Sequence, residues 1–258
     1  MTNNIPWAIV TGASSGIGRE MAKILAQKGM NLVIIARTSE LLVTLKTDLE
    51  SFGVQSCVIC SDLTKVSAIN DILQVLEEKD INPYVLINNA GCGLFGTFAQ
   101  QNSQEISNML TLNIQALTLL THAIIPKIPP GGYIMNVSSI ICFQATPYYA
   151  AYAASKSYVD AFSQALQYEL SPNIHVSTLY PGMTDTRFFE TSHQVIKPWL
   201  KSLMMKSAPF VAKKAITGML NNKKTMTPGM INKISSNLGY YMPNWITTKL
   251  MAFLFKNR

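Results

Sequence analysis

Tyr152 and Lys156 stand four residues apart in Tyr152-Ala153-Ala154-Ser155-Lys156, a spacing that sets a phenol and an ammonium on one face of a helix. A free phenol titrates at about 10 and exchanges protons poorly at neutral pH. A cation beside it stabilises the phenolate and so suits it to pass a proton to or from a substrate oxygen. Taken alone, the pair also fits an exposed helix face. A second group lies far upstream, where Thr11-Gly12-Ala13-Ser14-Ser15-Gly16-Ile17-Gly18 follows an apolar run and opens a helical pattern. Glycines there let the backbone turn tightly and approach a pyrophosphate, while the free amides and dipole of a helix N-terminus favour the anion.

In a site built for NAD, an acidic residue about 20 positions past the glycines holds the ribose hydroxyls. Here the count from Gly16 reaches Ala36, which cannot do so, and Arg37 and Thr38 follow. A guanidinium fork and a hydroxyl suit a 2′-phosphate, so the pattern points to NADP(H).

The elements that must position these groups alternate along the chain. Apolar runs at Trp7 to Val10, Asn31 to Ala36, Val54 to Cys60, Tyr84 to Ile87, Tyr133 to Val137 and Ile174 to Tyr180 read as strands. Between them, Gly16 to Lys28, Glu40 to Phe52, Thr64 to Glu78, about Gln101 to Ile125 and about Tyr148 to Leu170 read as helices. Strands joined by helical crossovers imply an α/β fold, a doubly wound parallel sheet in a single Rossmann-type domain over 1–258. After Pro181-Gly182 the alternation breaks: 183–207 reads as an irregular lid, Pro209 to Leu220 as a helix, Thr225 to Thr227 as a final strand, and 230–258 as a basic, aromatic extension.

Composition narrows the classes. Of 258 residues 48% are hydrophobic, which excludes a disordered chain, and no run of 18 uninterrupted apolar residues marks a membrane span. The N-terminus lacks the basic start of a secretory signal. Cys57, Cys60, Cys92 and Cys142 show no metal-ligand spacing, so no metal is expected and the thiols read as reduced, in a cytoplasmic protein. The net charge of +7 is uneven: through residue 186 there are 9 Lys/Arg and 13 Asp/Glu, and from Arg187 onward 12 Lys/Arg and only Glu190. Such asymmetry suggests an anionic surface or ligand for the tail.

Taken together the motifs resemble the short-chain dehydrogenase/reductase family, most closely its NADP-dependent hydroxysteroid and fatty-acyl reductase branches. The likeness covers nearly all of residues 7 to 186: the glycine pattern, Asp62-Leu63, Asn88-Asn89-Ala90-Gly91, Asn113, Ser139 thirteen residues before Tyr152, Lys156, and Pro181-Gly182 followed by Thr186. The resemblance implies NADP(H)-dependent interconversion of a carbonyl and a secondary alcohol, with Asn113, Ser139, Tyr152 and Lys156 as the catalytic set. Tyr152 would be general acid and base, Ser139 would hydrogen-bond the same substrate oxygen, Lys156 would lower the Tyr152 pKa and bind the nicotinamide ribose, and Asn113 would hold a relay water. It further implies that the cofactor lies along Gly12, Ser14, Ser15, Gly16, Ile17, Gly18, Arg37, Thr38, Asp62, Leu63, Asn89, Ala90, Gly91, Tyr152, Lys156, Pro181, Gly182, Thr184 and Thr186. A homodimer or homotetramer follows by the same analogy, through the two long helices.

After Ser139 the chain runs Ile140-Ile141-Cys142 where many relatives carry Ala-Gly at the last two positions, and that bulk is expected to narrow the acceptor cleft. The lid carries Phe188, Phe189, Val195, Ile196, Trp199, Leu200, Leu203, Met204 and Met205, with Lys197, Lys201 and Lys206 interspersed. An apolar, adaptable lid of this kind suits a hydrophobic small-molecule or acyl substrate; it also fits side chains that merely pack the lid on the body. The extension from Leu238 to Arg258 could lie on a membrane surface, or pack on its own domain or across a subunit interface. It carries no nucleic-acid-binding motif, and nucleic acid is not expected as a partner.

Overall fold

The computed structural model describes residues 5–186, 188, 201–202 and 204–255. Seven parallel strands form one sheet in the order β3-β2-β1-β4-β5-β6-β9. They are β1 (Trp7–Thr11), β2 (Asn31–Ala36), β3 (Ser56–Cys60), β4 (Pro83–Asn88), β5 (Gly132–Val137), β6 (Ile174–Leu179) and β9 (Thr225–Met226). A separate two-residue pair joins β7 (Thr184–Asp185) to β8 (Lys206–Ser207) inside the expected lid.

Covered parallel strands are apolar on both faces, which is why β2 reads Asn-Leu-Val-Ile-Ile-Ala and is buried throughout. The strand period of two then sorts side chains between two cores. Ala8, Val10, Leu32, Ile34, Val85 and Ile87 face one side, and Ile9, Val33, Ile35 and Leu86 the other. On the first side lie α1 (Gly16–Gln27), α2 (Ser39–Glu50) and α7 (Ala208–Leu220), contributing Met21, Leu25, Leu42, Leu45, Ile216 and Met219. On the second lie α3 (Ala68–Glu78), α5 (Leu117–Ile124) and α6 (Ala150–Glu169), contributing Ile72, Leu76, Leu120, Ile124 and Leu166. Each fully buried Leu or Ile adds roughly 2 kcal/mol of transfer free energy, so both helical layers are held chiefly by these stripes.

The doubly wound parallel sheet expected from the sequence is therefore present, with element ends shifted by a few residues. Three features differ from the sequence reading. The long helix is divided: α4 (Ser103–Leu110) passes through a π-helical turn, Thr111–Ala116, before α5 continues. The run Ser103–Lys127 is the one stretch among the described residues long and apolar enough to cross a membrane by length and composition. Leu117, Leu120, Thr121 and Ile124 on it are buried in the body, which fits a core helix.

The third difference is the tail. It forms two helices, α8 (Met230–Tyr241) and α9 (Asn244–Phe255), that fold back over the sheet's C-terminal edge. Phe143 meets Tyr240 at 6.5 Å between ring centroids, and Tyr149 meets Phe255 at 5.6 Å. The sequence reading gave this region only as a basic, aromatic extension, with packing on its own domain as one alternative, because its apolar residues do not line up on the face that packs.

Candidate active site

The chain winds outward from β1 to β3, then returns to β4 on the other side of β1, so the strand order reverses between β1 and β4. Ligand crevices of open α/β sheets form at such a point, beyond the carboxyl ends of the strands. Here the two flanking loops are tied together. The Thr11 hydroxyl donates to the Ile87 carbonyl at 3.3 Å and accepts from the amides of Asn89 and Ala90, both at 3.0 Å. The Asn89 side-chain amide returns donors to the Thr11 and Gly12 carbonyls at 2.9 and 3.2 Å.

Above these loops opens a cavity of about 420 Å³, within the range of small-molecule sites. Nearly all the residues singled out in the sequence line it. They are Gly12, Ser14, Ser15, Gly16 and Ile17 after β1; Arg37 and Thr38 after β2; Asp62 and Leu63 after β3; and Asn89, Ala90 and Gly91 after β4. Ser139 follows β5, Tyr152 and Lys156 stand on α6, and Pro181, Gly182, Thr184 and Thr186 follow β6.

The glycine loop fits a phosphate-bearing nucleotide. Gly12 and Gly16 have φ of +65° and +57°, in the left-handed region, and a β-carbon on Gly12 would lie 2.8 Å from Asn89 Nδ2. Ser15 sits at the N-cap of α1 without a side-chain cap bond, and the first turn of α1 carries no acidic residue. The amides and dipole of that helix end are thus left facing the cavity. Among the described residues the Arg37 guanidinium makes no ion pair, which leaves it available to an anion at the same end. Asp62 accepts from the amide and hydroxyl of Thr64 at 3.1 and 2.8 Å. Burial pushes its carboxyl up, but the Thr64 donors, with Arg37 and Lys65, hold it below the ordinary carboxylate value.

Two expected residues do not line the cavity. Gly18 lies beneath it, where a β-carbon would come within 2.3 Å of Asn89 Nδ2 and 2.5 Å of the Gly12 carbonyl; its role is to let α1 approach the β4 loop. Asn113 is 1% exposed, and its amide is already engaged. It donates to the Cys92 carbonyl at 2.9 Å and the Ser155 hydroxyl at 3.0 Å, and accepts from the Cys92 amide at 3.0 Å. Its side chain thus braces the loop carrying Gly91 and Cys92 against α6. It does so from the π-helical turn, a feature common at functional sites.

At the far end, the Ser139 hydroxyl and the Tyr152 phenol line the cavity together. Burial pushes the Tyr152 phenol well above its ordinary value, and Ser139 opposes the rise. Ser139 is otherwise weakly engaged, with contacts of 3.4 Å to the Pro181 carbonyl and the Ile141 amide. The Lys156 ammonium lies 5.9 Å from the Tyr152 ring centroid and donates to the Val137 carbonyl at 2.9 Å. Burial lowers its pKa to about 8.

Cys92 and Cys142 both have thiols raised by burial, Cys142 to about 12, which fits inert packing rather than reactivity. Of the two positions expected to add bulk after Ser139, Ile141 lines the cavity, next to Ile140, and Cys142 does not. Of the lid, Met183, Phe188 and Met204 line it as well, with the Phe188 ring 5.5 Å from that of Tyr152. Phe189, Val195, Ile196, Lys197, Trp199, Leu200 and Leu203 lie outside the described residues.

Sequence reasoning missed Gln144, Tyr149, Ser235, Met251, Leu254 and Phe255, which complete the wall. A signal existed for the last three: Met251, Leu254 and Phe255 recur at helical spacing after Pro243-Asn244.

Known proteins share this arrangement. A family model described as short chain dehydrogenase matches residues 6–196. Hydroxysteroid dehydrogenase-like protein 1 of Gallus gallus is 34% identical over 250 residues, covering 93% of this chain and 73% of its own. The human protein named Inactive hydroxysteroid dehydrogenase-like protein 1 is 32% identical with the same coverage. Among solved structures, a short-chain dehydrogenase from Sphingobium yanoikuyae in complex with NADPH superposes with a TM-score of 0.79 at 29% identity, covering 93% of this chain and 97% of its own. A bulky-bulky ketone specific alcohol dehydrogenase from Comamonas testosteroni does so with a TM-score of 0.75 at 28% identity, covering 93% and 96%. With the family model spanning most of the chain and the sheet, crevice and residue pattern in agreement, the protein belongs to the short-chain dehydrogenase family.

Proposed function

We propose that the protein is an NADP(H)-dependent oxidoreductase that interconverts a carbonyl and a secondary alcohol on a hydrophobic substrate. The observation that carries this reading is the convergence of Ser139, Tyr152 and Lys156 on one cavity whose other end holds the glycine loop and Arg37. The nicotinamide, when bound, supplies or takes up the hydride. The chain's own residues manage the oxygen and its proton. Tyr152, whose buried phenol keeps its proton at neutral pH, donates it to the substrate oxygen during reduction. Ser139 hydrogen-bonds the same oxygen and fixes its distance from Tyr152. Lys156, anchored on the Val137 carbonyl and with its pKa at about 8, hydrogen-bonds the ribose and holds a proton close to the phenol.

Gly12, Ser14, Ser15, Gly16 and Ile17 hold the pyrophosphate, Asp62 and Leu63 the adenine, Asn89 to Gly91 the adenosine side, and Pro181 to Thr186 the carboxamide. Arg37 and Thr38 select the 2′-phosphate, which favours NADP(H) over NAD. The acceptor end is enclosed by Tyr149, Phe188, Met204, Met251, Leu254 and Phe255, an apolar enclosure suited to a ketosteroid, a ketoacyl chain or another bulky ketone. The name of the Comamonas relative supports the same substrate class. A second reading, NADP(H) binding without turnover, is favoured by the word inactive in the human relative's name. We assign the protein to the cytoplasm, as a homodimer or homotetramer built on α4 to α6.

The test is oxidation of NADPH against ketosteroids, 3-ketoacyl thioesters, long-chain aldehydes and diketones. Turnover of one class that is lost in Tyr152→Phe supports the enzyme. Tight NADPH binding with no turnover of any class supports the second reading.

A further inference from the structure

We propose that the outer face of α8 and α9 docks the protein onto an anionic lipid bilayer. Helix α8 is inside out. Asn232, Ser236 and Gly239, at spacings of four and three, turn inward. Ile231, Ile234, Leu238 and Tyr241 form the opposite stripe and are 38%, 54%, 51% and 80% exposed. A surface helix that only covers a domain places its apolar stripe inward and its polar side in water. Here the small and polar side seals the body, against Gly182 and Gln144, and the apolar side is left outside. On α9, Trp245 and Leu250 extend the exposed surface, at 64% and 50%. Contiguous apolar surface of this kind marks an interaction site.

Charge decides the occupant. Lys233 and Lys249 are exposed on these helices, and the Lys249 ammonium lies 5.6 Å over the Trp245 ring. No Asp or Glu follows Glu190 in the sequence. A second copy laid on the same face would therefore oppose lysines to lysines, with no carboxylate on either helix to pair them. An anionic bilayer satisfies both components at once. Headgroup phosphates receive the ammonium groups, and Trp245 and Tyr241 find the amphipathic boundary that aromatic residues occupy at membrane surfaces.

The inner side of the same two helices lines the cavity through Ser235, Met251 and Leu254. Docking therefore sets the acceptor wall against the bilayer, where a lipophilic ketone partitions. This last step rests on the proposed oxidoreductase reading; the docking itself does not.

The test is flotation of the full chain with phosphatidylcholine vesicles, with and without about one-quarter phosphatidylserine, at low and high salt. The wild type is expected to float with the anionic vesicles, less at high salt and less with phosphatidylcholine alone. Replacing Ile234, Leu238 and Tyr241 together by Ser should lower the floated fraction about tenfold with circular dichroism unchanged. Lys233→Glu with Lys249→Glu should remove the salt-sensitive part. A wild type that stays at the bottom with anionic vesicles, or a triple variant that floats as well as the wild type, overturns the proposal. So does a dimer, seen by light scattering, that the triple variant loses while neither protein floats. Flotation requires no turnover, so a Tyr152→Phe protein that is inactive and still floats shows docking whether or not the reading of the active site holds.

Discussion

Gly182 and Asn232 approach so closely that a β-carbon built on Gly182 would lie 2.4 Å from the Asn232 side-chain amide. Gly182 belongs to the loop after β6 that lines the cavity, and Asn232 to α8, fifty residues later. The C-terminal helices are thus part of the site: one of them clamps the loop proposed to hold the cofactor's carboxamide. Asn232 is itself fixed, donating to the Pro228 carbonyl at 2.9 Å.

A methyl group at this contact should be costly. Gly182→Ala is expected to destabilise the fold by about 2 kcal/mol, as overpacking does, and to weaken NADPH binding because the loop must shift. In an Asn232→Ala background the same change should cost less, giving a coupling of roughly 1 kcal/mol. Denaturant unfolding of the four proteins, with nucleotide titration of each, measures both. Equal costs in the two backgrounds would show that the contact is not what limits the site.

Lys156 sets a pH dependence of stability. Its folded pKa, at about 8, lies below the ordinary 10.5, so between those values the unfolded chain binds the extra proton and stability rises with pH. Below pH 8 both states are protonated and the full penalty of burying the charge, about 3 kcal/mol, is present. Lys156→Met should therefore unfold at a higher temperature than the wild type at pH 7, in the cofactor-free protein. The gain should shrink as pH passes from 8 toward 10.5. Turnover should be lost in the same variant, so the lysine is retained for function at a cost in stability. Thermal melts of both proteins across this range provide the measurement, and a gain that does not change with pH would contradict the assignment of the titration to Lys156.

The acceptor end should respond separately from the cofactor end. Phe255 packs on Tyr149 and lines the cavity near Tyr152, far along the chain from the glycine loop. Phe255→Ala enlarges the acceptor wall without touching Gly12 to Ile17 or Arg37. It should raise KM for the best hydrophobic ketone about tenfold, with the NADPH Kd within about twofold of the wild type. Equal loss of both affinities would mean that the tail supports the whole cavity rather than its acceptor side.

What was legible in the sequence follows from which signals are local. The strands carry continuous apolar runs because both faces are buried, and the glycine loop and Tyr152–Lys156 pair depend on short spacings, so each could be read in place. The tail could not be read this way. Helix α8 buries Asn232, Ser236 and Gly239 and exposes Ile231, Ile234 and Leu238, the reverse of the pattern from which packing is inferred. Asn113 was located correctly on a helix, but its π-helical setting and its partners Cys92 and Ser155 depend on contacts 21 and 42 residues away in the chain. Lys156 likewise shares a helix face with Tyr152, as its spacing requires, yet its proton goes to Val137 on a strand that the spacing does not mention.

Arg37 provides the sharpest test of cofactor choice, since the position that would carry a carboxylate in an NAD site is Ala36. Its guanidinium lines the cavity beside Thr38, at the N-cap of α2, and makes no ion pair among the described residues. A charge-assisted, bidentate contact to a 2′-phosphate contributes about 2 kcal/mol, or roughly thirtyfold in affinity. Arg37→Ala should therefore weaken NADPH by that factor and leave NADH within about threefold. Ala36→Asp in the Arg37→Ala background should go further and favour NADH outright, by supplying the ribose acceptor while repelling the phosphate. Quenching of intrinsic tryptophan fluorescence on titration with each nucleotide reads both affinities without requiring a substrate. A loss of NADPH and NADH affinity in equal measure would place Arg37 in the support of the loop and remove the basis for NADP(H) selection.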